Sequence, residues 1–172
     1  MEDYRYTIRY IDATRARSYS DALLLLLRLA SAALLLSNDI RRWVVFEGAA
    51  ALSDGGFVQL RVNGSKVRGL APQATALEGI ARALVKRGRW PGILVRRVGR
   101  EPSCEGCVAA AEFLEAGDTC PGCLCLQSGG DEGATFKPWW LLAALMVVHD
   151  ERCICGRRRR EGAEAAGGVS AL

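Results

Sequence analysis

Hydrophobic and polar positions along the chain follow two periods, and each period predicts a different kind of element. In "YRYTIRYI", within residues 1–17, apolar residues recur at every second position, which is the pattern of a half-buried strand. The leucine-rich segment that follows predicts a buried helix over residues 20–36, with Ser18 and Asp21 as its capping box. The short apolar run "WVVF" at 43–46 predicts a second, buried strand.

The segment 57–70, "FVQLRVNGSKVRGL", predicts a β-hairpin. Its first apolar residues alternate with polar ones, and Asn63-Gly64 is a dipeptide that favours a two-residue turn between antiparallel strands. We therefore expect this hairpin as an antiparallel insertion in the sheet.

Two helices and a strand are predicted further along the chain. The first helix covers 71–88, with Pro72 near its start and Gly88 at its end, and a strand at 93–95 follows it. The second helix covers 138–150 and starts at a proline, and because it is apolar nearly all round we expect it to be buried. The apolar stripe predicted on the first of these helices consists of Leu77, Ile80, Ala81, Leu84 and Val85.

The order of these elements predicts the fold class. Strands that alternate with helices are typical of an α/β protein. A chain of 172 residues, half of them apolar, suits one domain, which we expect to cover residues 1–155. The arginine-rich tail 156–172 has no hydrophobic pattern, and we expect it to be disordered.

The leucine-rich segment is not expected to cross a membrane. Its apolar part, 22–36, is 15 residues long and contains Arg28, whereas a membrane span needs about 20 apolar residues. The segment also lies too far from Met1, behind too many charges, to be a signal peptide. We therefore expect a soluble, cytoplasmic protein that makes no contact with a membrane.

The basic residues are mostly of one kind. Of the 23 Lys and Arg residues, only 3 are Lys, so the positive charge is carried by guanidinium groups. Guanidinium groups bind phosphates bidentately and stack on bases better than ammonium groups do, which favours a nucleic-acid partner. A GC-rich genome raises the arginine content equally well, so the composition leaves both explanations open.

The cysteines form a spaced pattern. Cys104 and Cys107, then Cys120 and Cys123, are two C-x2-C pairs separated by 12 residues, which is typical of a four-thiolate zinc site. Disulfides, and free thiols buried as small hydrophobic groups, are the alternatives. Cys123 and Cys125 alternate in a predicted strand, so their side chains should share one face of the sheet.

Three motifs in a fixed order carry a resemblance to a known family. "LSNDIRR", then a segment with "NGS", then "PGILVRR" are similar in order and spacing to the archaeal tRNA (pseudouridine-54 N1)-methyltransferases. These enzymes belong to the SPOUT superfamily of trefoil-knotted methyltransferases. The resemblance covers residues 22–100 without large gaps and continues, more weakly, over 112–150.

The resemblance implies a fold and a reaction. We expect a trefoil-knotted α/β fold around a mainly parallel sheet, and a homodimer with S-adenosylmethionine as the cofactor. The expected reaction transfers the methyl group to N1 of the pseudouridine at position 54 of tRNA, and we expect tRNA itself as the partner.

The resemblance also implies a role for individual residues. Asp39 matches the acid that faces the target base, where a carboxylate can accept or orient the N1 proton. The residues that match RNA-facing arginines are Arg41, Arg42, Arg96 and Arg97. The residues that match the cofactor site are Leu114, Gly129, Gly130, Thr135, Phe136, Lys137, Pro138, Trp139 and Met146. From spacing alone, Asp39 could instead cap a turn, and the arginines could be ordinary surface charge.

Several features depart from the family pattern and keep a second interpretation open. The glycine-rich loop lacks the histidine of the family, Met146 stands where the family has a cysteine, and the link to the final helix is shorter. The alternative is therefore a catalytically inactive knotted paralogue, or a zinc-ribbon module that binds RNA without transferring a methyl group.

Overall fold

The described part of the chain forms a seven-stranded mixed sheet with four α-helices, which confirms the α/β class. The computed structural model describes residues 5–37, 39–116, 120–128 and 138–155. The tail 156–172 lies outside the described residues, so its predicted disorder stays a prediction.

The sheet combines a parallel half with an antiparallel half. Its strand order is β4-β5-β3-β2-β1-β7-β6. Strands β2, β1, β7 and β6 run parallel to one another, whereas β3 and β5 pair antiparallel to their neighbours, as do β4 and β5. The strands are β1 (Tyr6–Ala16), β2 (Val44–Leu52), β3 (Phe57–Asn63), β4 (Arg89–Trp90), β5 (Ile93–Val98), β6 (Val108–Ala109) and β7 (Cys123–Ser128).

The helices begin and end largely where the sequence predicts. At the first helix, the Ser18 hydroxyl accepts a hydrogen bond from the Asp21 N–H at 3.1 Å and donates to the Asp21 carboxylate at 2.8 Å, which confirms the capping box. The second helix ends at Gly88, whose φ of +68° suits a residue without a Cβ. The helices are α1 (Tyr19–Leu34), α2 (Ala74–Arg87), α3 (Ala110–Ala116) and α4 (Pro138–His149), followed by a π-helical segment, Asp150–Cys155.

All four helices contribute to one hydrophobic core on one face of the sheet. The sheet residues of this core lie on a single face because strand side chains alternate between the two faces. Among the described residues, the buried cluster on the opposite face is small and consists of Ala49, Ala51 and Phe57. The described chain is therefore two layers, with helices on one side of the sheet only.

The predicted hairpin over 57–70 is wrong. Strand β3 ends at Asn63 and lies between β2 and β5, so its hairpin partner is β2, through the preceding turn. At Gly64 the chain passes so close to β2 that a Cβ would collide with the carbonyl oxygens of Arg41 and Val44. The Asn63 side chain accepts hydrogen bonds from the N–H and hydroxyl of Ser65 at 3.0 and 2.7 Å, which turns the chain away from the sheet.

The final helix is buried on one face only, contrary to the prediction. Leu142, Met146 and His149 of α4 lie in the core. Trp140 and Val147, on the other side of the helix, are 61% and 59% exposed, because α4 packs against α1 through its buried side alone. The described residues thus leave an apolar stripe of α4 uncovered.

Helix α1 is too short to span a bilayer. At about 1.5 Å per residue its 16 residues extend for about 24 Å, against a hydrocarbon core of about 30 Å. Within the described ranges, no helix has the length and hydropathy needed to cross a membrane.

Six cysteines are paired as three disulfides: Cys104–Cys125, Cys107–Cys123 and Cys120–Cys153. Cys123 and Cys125 share one face of β7, as predicted, and both bind the loop that contains Cys104 and Cys107. Because these six sulfurs are bonded to one another, the four-thiolate zinc site is not assembled in this arrangement. Among the described residues, no other group of Cys, His, Asp or Glu is placed to hold a metal ion.

Peptide mapping distinguishes the disulfides from the zinc site. Tandem mass spectrometry of the oxidised protein, digested without reductant, should find the three linkages of the structure, and metal analysis should find no stoichiometric zinc. The opposite result, about one zinc per chain that is lost in the Cys104→Ser variant, would restore the four-thiolate site.

Candidate functional site

A tight turn connects α1 to β2 and carries the "DIRR" residues. Leu35 and Ile40 form a single β-bridge, and the Leu36 N–H donates to the Asp39 carbonyl at 2.8 Å. The Arg41 N–H donates to the Leu34 carbonyl at 2.7 Å, so the chain folds back directly against the end of α1. This turn gives Asp39 and the two arginines different surroundings, although they are close neighbours in sequence.

Arg41 is buried and engaged within the protein. Its Nε donates to the Asp150 carboxylate at 2.6 Å, and its Nη1 donates to the carbonyls of Ala33 and Leu35 at 3.2 and 3.0 Å. The guanidinium therefore caps the C-terminal end of α1, where the helix dipole favours a cation. With 5% of its side chain exposed, Arg41 is not available to RNA in this arrangement, which corrects the role that the resemblance implies.

The histidine next to this ion pair is neutral at physiological pH. His149 is fully buried and stacks on the Tyr6 ring with 3.8 Å between centroids. Burial and, to a smaller extent, the nearby charge of Arg41 together lower the pKa of His149 to about 4. Arg41 and Asp150 are thus joined as a charge pair beside a stacked, uncharged imidazole.

Asp39 lies on the outer side of the same turn and lines a cavity of about 740 Å³. One of its carboxylate oxygens accepts the Ile40 N–H at 2.7 Å, and the side chain is 64% exposed. Trp139 and Arg28 line the same cavity, with the guanidinium carbon 5.6 Å from the indole centroid. The apolar lining residues include Leu35, Leu36, Ile40, Leu70, Pro72 and Leu77.

This combination of groups suits a flat ring with polar edges. A cavity of this size falls in the range of small-molecule sites, which are mostly apolar with a few polar groups. The indole and its guanidinium neighbour offer a surface for stacking, and the Asp39 carboxylate offers a hydrogen-bond acceptor. We call this space the Asp39 cavity.

A basic pocket adjoins the Asp39 cavity and shares Ile40 with it. Its cationic lining residues are Arg42, Lys66 and Arg68, and its volume is about 540 Å³. The close approach of the chain at Gly64 brings the turn after β3 against the start of β2, and so brings these cations together. Three cations in one pocket suit phosphate groups.

Sequence reasoning missed three of the residues at this site. Lys66 and Arg68 lie in the segment that was predicted to be the second strand of a hairpin, where they would have been ordinary surface charge. Arg28 is the one charged residue within "LLLLLRLASAALLL", and that isolation was the available signal.

Arg96 and Arg97 do not join the basic pocket. As consecutive residues of β5 they project to opposite faces of the sheet. Arg96 donates through Nε to the Gln59 side chain at 2.6 Å, on the face without helices, and Arg97 pairs with Asp54 in the β2–β3 turn. Of the four arginines of the resemblance, Arg41 is thus buried, and the other three lie on separate surfaces.

The residues expected at the cofactor site are only partly brought together. Trp139, next to Pro138 at the start of α4, lines the Asp39 cavity. Met146 is fully buried in the core, and its sulfur accepts a hydrogen bond from the Tyr6 hydroxyl at 3.9 Å. Leu114 lies on helix α3 and does not line this cavity. Outside the described residues lie Gly129, Gly130, Thr135, Phe136 and Lys137.

Comparison with known proteins adds no relative to this picture. No protein-family model matches the chain, and no curated protein matches it. The family resemblance therefore depends on the order and spacing of the motifs in this sequence.

The adjacent arginines provide a matched pair for mutation. Arg41→Met leaves Asp150 and the last carbonyls of α1 without their partner, so it should lower the free energy of unfolding by about 3 kcal/mol. Arg42→Met changes an exposed side chain and should alter the free energy of unfolding by less than about 0.5 kcal/mol. Urea denaturation of both variants measures the difference, and equal losses would contradict the capping role of Arg41.

Proposed function

We propose that this protein is an S-adenosylmethionine-dependent methyltransferase of the SPOUT superfamily that acts on N1 of the pseudouridine at position 54 of tRNA. The observation that carries the proposal is the Asp39 cavity, where a carboxylate and an indole–guanidinium pair lie beside a basic pocket. The motif resemblance and the partly parallel α/β sheet support the proposal, which includes the trefoil knot.

Asp39 is the proposed proton acceptor. Pseudouridine differs from uridine in having an N–H at N1, and this proton must leave as the new N–C bond forms. A carboxylate within hydrogen-bond reach can accept the proton in the transition state. The target base has to leave its stack to enter the cavity, and a loop nucleotide makes that less costly than a paired one.

Arg28 is the proposed positioning group for the base. Its guanidinium offers a plane on which a flat ring can stack, and the apolar residues that line the cavity exclude water. Arg42, Lys66 and Arg68 then hold the neighbouring phosphates, because guanidinium and ammonium groups replace the counterions of the RNA backbone. Much of the acceleration should come from this positioning.

The start of α4 is the proposed place for the cofactor. Backbone N–H groups at a helix N-terminus suit a carboxylate such as that of the methionine moiety, and Trp139 in the first turn suits an adenine ring. When it is bound there, S-adenosylmethionine supplies the methyl group as an electrophile. Pro138 and Trp139 are the described residues that would hold it.

A homodimer is part of the proposal. The exposed apolar stripe of α4 runs through Trp140, Leu141, Ala144 and Val147, which recur at helical spacing. Exposed apolar stripes of this kind mark protein–protein contacts. The stripe begins next to Trp139, so a second copy would lie close to the Asp39 cavity.

The second candidate function is an RNA-binding protein that transfers nothing. It is favoured by Met146, which is buried in the core, and by Leu114, which lies away from the Asp39 cavity. In this case the basic pocket binds RNA and the cavity holds a base without modifying it.

The Asp39→Asn variant tests the proposed chemistry. It keeps the shape of the side chain and removes the acceptor charge, so methyl transfer to a tRNA T-arm with pseudouridine should slow by roughly 10²-fold. Affinity for S-adenosylmethionine should remain nearly unchanged. Asp54→Asn, the same change at another exposed acid, is the control and should leave the rate intact.

The same assay with uridine tests the position of the methyl group. In uridine, N1 is bonded to the sugar and has no proton, so a uridine T-arm should not be methylated. A uridine arm that is methylated at the same rate, or an Asp39→Asn enzyme with full activity, would rule out the proposed reaction.

A further inference from the structure

The face of the sheet without helices carries a second cavity, of about 600 Å³, which we call the sheet-face cavity. Its charged lining residues are Arg9, Glu47, Arg61 and Arg96. Arg9, Glu47 and Arg61 are direct neighbours on adjacent strands. Arg96 lies opposite Gln59, which precedes Arg61 by two residues in β3. Their side chains therefore project from the same face.

The charged groups in this cavity have two different roles. Arg9 is fully engaged: Nε and Nη2 donate to Glu47 at 3.3 and 3.0 Å, and Nη1 donates to the carbonyls of Ser103 and Glu105 at 2.9 and 3.4 Å. Arg61 has its Nε 3.6 Å from Glu47, and Arg96 is held through its Nε by Gln59 at 2.6 Å. The terminal Nη groups of Arg61 and Arg96 make no hydrogen bond to the described residues, so they can donate to a ligand.

The loop that forms one wall of the cavity is fixed in place. Pro102 and Ser103 line the cavity, and the loop is attached to β7 by Cys104–Cys125 and Cys107–Cys123. Its hydrogen bonds to Arg9 attach it to the sheet as well. The wall is therefore part of a built cavity and not a chance groove between side chains.

The balance of charge indicates the kind of ligand. Three guanidiniums and one carboxylate leave two positive charges in the cavity. A phosphate monoester carries a charge of about −1.5 to −2 at pH 7 and would balance them, whereas a single carboxylate would balance half. Guanidinium groups also match the geometry of phosphate oxygens.

The uncharged lining indicates the size of the ligand. Ile11, Ala49 and Leu94 provide an apolar floor for the body of a small molecule. Tyr10, the one aromatic residue among the described residues of the lining, is fully buried, so its ring is not available to stack on a base. Single-stranded RNA depends on such stacking, which favours a small phosphorylated molecule.

From these observations we propose that the sheet-face cavity binds a small phosphorylated molecule, with its phosphate held between Arg61 and Arg96. Arg9 and Glu47 position Arg61, and Gln59 positions Arg96. This site is separate from the Asp39 cavity and does not depend on the methyltransferase proposal.

Calorimetric titration with ribose 5-phosphate tests the site, with ribose as the phosphate-free probe. Ribose 5-phosphate should bind saturably and ribose should not. The double variant Arg61→Gln/Arg96→Gln should weaken binding at least 10-fold. The double variant Arg82→Gln/Arg87→Gln, the same charge change on exposed residues of α2, should leave the affinity unchanged.

Glu47→Gln should change the affinity for ribose 5-phosphate in the direction opposite to the arginine variants. It removes the negative charge beside Arg61 but keeps an oxygen that can accept hydrogen bonds from Arg9, so ribose 5-phosphate should bind several-fold more tightly. If the double variant does not fold, Arg96→Gln alone should still weaken binding. The proposal is overturned if ribose 5-phosphate does not bind, if the α2 variant weakens binding equally, or if only a short single-stranded RNA binds.

Discussion

The guanidinium of Arg41 joins the end of α1 to the segment after α4, and the candidate site depends on this contact. Arg41 satisfies helix carbonyls and the Asp150 carboxylate at once, although Asp150 is 109 residues away in sequence. Its own carbonyl then accepts the Val44 N–H, where β2 begins, and lies against the chain at Gly64. With Arg41 turned inward, Asp39 and Arg42 are left on the outer side of the turn.

The one-sided packing of the sheet gives the molecule two distinct surfaces. On the helix side, the junction after α1, the start of α2 with the residues before it, and the start of α4 meet around the Asp39 cavity. On the other side, a row of cross-strand charges takes the place of a helix layer. Disulfides to β7 hold a loop over part of that row. Covalent bonds and ion pairs therefore fix this face of the sheet more than apolar burial does.

Local signals in the sequence were enough to predict much of the fold. Ser18 and Gly88 predicted helix ends correctly because capping depends on residues within one turn. The alternation of Cys123 and Cys125 predicted their shared face for a similar reason. Asn63-Gly64 was misleading, since the role of that turn is set by its contact with β2 and not by the dipeptide itself.

Long-range contacts decided the features that sequence reasoning missed. Arg41 and Arg42 are identical neighbours, but Arg41 is buried by its contacts with Asp150 and the end of α1, whereas Arg42 stays exposed. The pairing of the cysteines likewise depends on which strands become neighbours. Nothing in the apolar pattern of α4 indicates which side faces α1 and which side stays uncovered.

Calorimetric titration with S-adenosylmethionine tests the central claim, methyl transfer at the Asp39 cavity, most directly. The account predicts saturable binding that is weakened by Trp139→Ala, at the cavity wall, and unaffected by Trp90→Ala, whose indole donates to the Arg68 carbonyl away from α4. The absence of any binding signal would contradict the methyltransferase proposal and favour the RNA-binding protein that transfers nothing.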